Sequence, residues 1–95
     1  MAAYLVTWNL NKERSNYDAA RRMLISLIQQ YDYTFDPGLE SVRFILTSQT
    51  ANQVYDRLKS ALDGNDRIII SKMNRKEYWG QLNPTVWSWI DARLL

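Results

Sequence analysis

Cysteine and histidine are both missing from these 95 residues. Without Cys the chain has no disulfide, no thiol nucleophile and no thiolate zinc site. Without His it lacks the commonest general base and transition-metal ligand, and its Ser and Thr hydroxyls have no base to activate them. Glycine (3) and proline (2) are scarce, and no glycine spacing suits a phosphate-cradling loop. No linker, internal repeat or low-complexity segment interrupts the chain. No apolar run approaches the roughly 18 residues of a membrane span, and nothing at the start resembles a signal peptide. A cytoplasmic protein with no membrane partner is therefore expected. Charge is nearly balanced, with 12 basic against 10 acidic residues and a net charge of +2. So mild an excess does not predict nucleic-acid binding unless the cations cluster. Any catalysis would depend on carboxylates, hydroxyls, lysines or a bound metal.

What the chain has in quantity is apolar and aromatic: 46% hydrophobic residues, four Trp and six Tyr. That is enough for one core, so residues 1–95 read as a single domain. Tyr4–Leu10 has the alternation of a strand that buries Tyr4, Val6, Trp8 and Leu10 in the middle of a sheet, with Asn9 at its polar end. Ser15 and Asp18 have capping-box spacing, and the apolar positions Tyr17, Ala20, Leu24, Leu27, Ile28 and Tyr31 predict a helix running to about residue 31. A short strand at 32–35, the turn Asp36-Pro37-Gly38 and a strand at 41–47 form an expected hairpin. Thr50 and Gln53 start a second helix with a stripe of Ala51, Val54, Leu58, Ala61 and Leu62, stopped by Gly64. Arg67–Met73 is apolar enough for an interior strand.

This βαββαβ order predicts an α+β, ferredoxin-like sandwich over residues 1–73, with a C-terminal aromatic and helical extension over 74–95. Pro84 suits the first position of the last helix. The two helices would cover one sheet face and leave Leu5, Ile45 and Ile69 on the other. So large an apolar patch needs the extension, a second subunit or both to cover it.

Tyr4-Leu5-Val6-Thr7-Trp8-Asn9-Leu10-Asn11-Lys12, Leu39-Glu40-Ser41-Val42, Leu62-Asp63-Gly64-Asn65-Asp66 and Tyr78-Trp79-Gly80 resemble segments of the SinR-like small proteins. Those are similar in turn to the CRISPR-associated adaptation endonucleases and to virulence-associated protein D. The resemblance implies a ferredoxin-like homodimer paired through the open sheet faces and associated with RNA or DNA. In the two nuclease families the first strand commonly ends in a metal-binding Asp, and Asn9 stands at that position here. A neutral amide offers one carbonyl oxygen and no charge to a hard cation. The resemblance thus implies weak or absent nuclease activity, with Mg²⁺ or Mn²⁺ the cofactor of an active version. Asp63, Asp66 or another carboxylate would have to replace the missing one in a metal-dependent endoribonuclease; a protein-binding adaptor is the third reading.

For nucleic acid, Lys12, Arg14, Arg43, Arg75 and Lys76 are the candidate phosphate contacts, which bind without reading sequence. Glu13, Asp18, Glu40 and Glu77 dilute that surface. Trp79, Trp87 and Trp89 are the residue type of a base-stacking platform. Packing is their expected use, with one of them partly exposed or buried at a dimer contact.

Overall fold

A computed structural model describes residues 1–94. Strands β1 (Ala2–Asn9), β2 (Asp32–Thr34), β3 (Val42–Thr47) and β4 (Arg67–Met73) form one antiparallel sheet in the order β2-β3-β1-β4. Helices α1 (Tyr17–Ile28) and α2 (Ala51–Leu58) connect them, and α3 (Pro84–Leu94) follows. The chain is a small α+β protein whose open antiparallel sheet and helices are compatible with a ferredoxin-like arrangement.

The period-2 alternation of β1 decides the layers. Tyr4, Val6, Trp8 and Leu10 are buried with Leu24 and Ile28 of α1 and Val54 and Leu58 of α2. The opposite face carries Leu5 and Phe44, which pair across β1 and β3 and meet Val86 and Ile90 of α3. The sheet is thus covered by α1 and α2 on one side and by α3 on part of the other.

Several expectations need correction. Ile45 pairs with Tyr4 on the α1/α2 side and is fully buried there, so Phe44, one residue out of phase, takes its place on the second face. A single residue of offset exchanges sheet faces. The strand β4 lies at the sheet edge, not its interior, and alternates exposed with half-buried residues. Ser15 caps nothing; Asn16 is the N-cap of α1 and makes no side-chain capping bond, its Oδ1 accepting from Arg14 Nε instead. The helix ends at Ile28, and Tyr31 donates its backbone N–H to the Ile28 carbonyl in a closing turn. Gly64 is not a left-handed stop; α2 tightens into a 3₁₀ turn at Lys59–Ala61 and ends where Leu62 becomes extended. The Thr50–Gln53 capping box is present in full.

Polar latches hold α3 to the sheet. Asn83 Oδ1 accepts from the Thr85 N–H as an N-cap does, ahead of Pro84. Asp36 accepts from the backbone N–H groups of Asn83 (2.7 Å) and Gly38 (2.8 Å), which hold its carboxyl below the usual pKa. At the far end Arg93 makes a two-pronged bond to Asp32 and lies 4.1 Å from the centre of the Trp89 ring.

Candidate functional site

The five candidate phosphate contacts fall into three different situations. Arg43 alternates with Ile45 along β3, and its guanidinium therefore lies under the α1/α2 layer, only 6% exposed. It donates to the carbonyls of Glu40 and Val42 and stacks 4.3 Å from the Phe35 ring centre and 5.5 Å from that of Trp8. Burial, with Arg21 nearby, lowers its pKa from the ordinary guanidinium value. It is a packing cation, and its enclosure leaves no face for a phosphate.

Arg14 belongs to a clasp. The Asp66 carboxylate, completely enclosed, accepts from Arg14, from the Asn11 N–H (2.7 Å) and from the Asp63 N–H (2.9 Å). Asp63 adds a second carboxylate 3.4 Å from Arg14 Nε. These bonds tie the segment after β1 to the turn before β4. They also occupy Asp63 and Asp66, the two carboxylates named as replacements for a metal-binding Asp. Among the described residues no three His, Cys, Asp or Glu side chains gather as metal ligands do. Asn9 is exposed, paired with Arg67 across β1 and β4, beside a shallow concavity that also includes Thr7 and Ile69. Lys12 is exposed on the segment after β1 and takes part in no ion pair among the described residues.

Arg75 and Lys76 are brought together with aromatic residues. Both line a cleft of about 420 Å³ with Tyr78, Trp79, Trp87 and Asp91, between the β4–α3 connection and α3. The Asn74–Glu77 turn, closed by a 3.0 Å bond from the Glu77 N–H to the Asn74 carbonyl, places Lys76 at φ 64°. Left-handed backbone is uncommon for a residue with a Cβ and costs about 1 kcal/mol or more. Beyond that turn Tyr78 is half-buried against Trp87, their rings stacked at 6.2 Å and 19°. Trp79 stands 6.1 Å from Trp87, tilted by 42°, and is 96% exposed. Neither Arg75 nor Lys76 pairs with a carboxylate among the described residues.

Trp79 also borders a second groove of about 500 Å³ over Leu5, Phe44, Met73 and Leu82. The three tail tryptophans thus have three uses: Trp87 is the half-buried floor between the clefts, Trp89 packs under Arg93, and Trp79 is left in solvent. The proximity of Arg75 and Lys76 to Tyr78 and Trp79 is visible in the sequence. That Trp87 and Asp91 complete the same cleft is a product of α3 folding back.

No protein-family model matches this chain, and no curated protein is significantly similar to it.

Proposed function

We propose that this chain is a nucleic-acid-associated protein that binds single strands through the Trp79 cleft, with weak or no nuclease activity. The exposure of Trp79 carries the reading. An indole 96% exposed beside a half-buried Trp87 offers a free π-face on which a base can stack. Arg75 and Lys76, unpaired among the described residues, supply at the same cleft what a backbone phosphate needs. Bases of every sequence offer a π-face, so aromatic stacking with flanking cations suits single strands better than duplex. On this reading the fold is a ferredoxin-like sandwich with a C-terminal extension, of the SinR-like kind, working as a cytoplasmic homodimer. The part of the second sheet face around Ile69, which is 61% exposed, supports the dimer. The neutral side chain of Asn9 and the engagement of Asp66 by three donors argue against a strong Mg²⁺ or Mn²⁺ site.

Tryptophan-fluorescence titration with single-stranded RNA, single-stranded DNA and duplex, at several salt concentrations, tests this. Single strands should bind most tightly, with affinity falling as salt rises. Replacing Arg75 and Lys76 together by Ala should reduce the slope of log affinity against log salt by about 0.7 per lost contact. Trp79→Ala should weaken binding by about 1–3 kcal/mol, the worth of one stacked base. No affinity for any strand at low salt would refute the proposal. The apolar groove over Leu5, Phe44 and Met73 would then favour a protein-binding adaptor.

A further inference from the structure

We propose that the Trp79 cleft selects guanine, taking the base between Trp79 and Trp87 and reading its edge with Asp91; this rests on the single-strand reading and names the base it would prefer. A base held between two rings needs about 7 Å between them, twice the roughly 3.5 Å of one carbon contact. The Trp79 and Trp87 ring centres are 6.1 Å apart and tilted by 42°, so a base enters once the rings turn parallel and part by about 1 Å. Trp79 is almost wholly in solvent and can make that turn and shift without leaving a packed position.

Among the described residues Asp91 is the one acidic residue lining this cleft. It follows Trp87 by four residues on α3, so the two side chains share a helix face. It makes no ion pair among the described residues, although Arg75 and Lys76 line the same cleft. A carboxylate is acceptor-only, with two oxygens side by side. Guanine alone among the RNA bases presents two adjacent donors, N1–H and the N2 amine, on its Watson–Crick edge, and charge-assisted bidentate bonds are among the strongest neutral-ligand contacts available. Adenine and cytosine would turn a ring-nitrogen acceptor toward the carboxylate, and uracil flanks its single N–H with two carbonyls. Each of these sets an acceptor against the exposed Asp91 carboxylate, and like partial charges repel, so the site would reject as well as attract. The two flanking cations disfavour the other ligand that aromatic–acidic clefts take, a quaternary ammonium, and fit the phosphate attached to the base.

Uridine octamers with a single internal guanosine, inosine or adenosine, together with GMP and AMP, are titrated into the full chain by tryptophan fluorescence. The guanosine octamer should bind about tenfold tighter than the inosine octamer, which lacks only the N2 amine, and at least as much tighter than the adenosine octamer. In Asp91→Asn the guanosine-to-adenosine ratio should fall close to one, whatever the loss of negative charge does to overall affinity. GMP binding as well as the octamer would identify a free nucleotide as the source of the guanine; tighter binding of the octamer would identify a strand. Equal affinity of the native chain for the three octamers, or an unchanged ratio in Asp91→Asn, overturns the guanine inference and leaves single-strand stacking standing. The native-chain comparison decides the matter even where the variant folds poorly. Failure to bind any octamer or nucleotide overturns both.

Discussion

Replacing Asp66 by Asn tests whether one buried carboxylate holds the end of the sheet together. Three donors converge on it: Arg14 and the backbone N–H groups of Asn11 and Asp63. An amide of the same size keeps one acceptor oxygen and turns an NH₂ group toward donors, so at least one of the three loses its partner. Breaking a buried pair costs about 3–5 kcal/mol, and one charged hydrogen bond about 1.5–3. Arg14 keeps Asp63 at 3.4 Å and some access to water, which places the loss at the lower end, about 3 kcal/mol. For a domain of this size that corresponds to a fall in Tm of about 12–24 °C. Urea unfolding and calorimetry at pH 7 measure both.

The same carboxylate gives a pH signature. Burial by itself would raise its pKa, but the N–H bonds from Asn11 and Asp63 and the charge of Arg14 outweigh burial and hold it below the usual value. A depressed native pKa means that the stabilisation is complete above the unfolded value of about 3.9 and disappears as pH falls through the native value. The native chain should therefore lose its advantage over Asp66→Asn below about pH 4. A loss smaller than about 1 kcal/mol at pH 7, or a gap that does not change with acid, would refute the clasp.

The contribution of α3 should come from packing more than from its latch: Ile90→Ala should cost about 3 kcal/mol in urea unfolding, and Asp32→Ala, at an exposed pair, under about 1. Loss of the α2 capping box in Thr50→Ala should cost about 1 kcal/mol by the same measurement. Trp79→Ala should leave Tm nearly unchanged, within about 0.5 kcal/mol, because almost none of the ring is buried. Lys76→Gly should be at least as stable as the parent by thermal unfolding, since glycine accepts φ 64° without strain, yet should bind single strands more weakly.

Local rules made much of this architecture legible. The alternation in Tyr4–Leu10 assigns a buried strand, and Ala20, Leu24, Val54 and Leu58 mark the helix faces, because each period of side chains answers to one backbone geometry. The Thr50–Gln53 box and Pro84 depend only on neighbours three residues away or fewer, so they too are visible in one dimension. The faces of β3 were not. Val42 to Thr47 is apolar on both sides apart from Arg43 and the terminal Thr47, and only the pairing of Tyr4 with Ile45 decides which set meets the helices. That pairing also buries Arg43, which by residue type alone is a surface cation. The Asp66 clasp joins residues 52 and 55 positions apart, and the Trp79 cleft needs Trp87 and Asp91 carried back across the sheet by α3. The chain order thus determines which segments are strands and helices, through short-range sterics and hydrophobic period. Which cations stay in water, and which aromatic rings share a cleft with them, was decided only when distant segments packed, because burial and charge pairing are properties of the assembled layers.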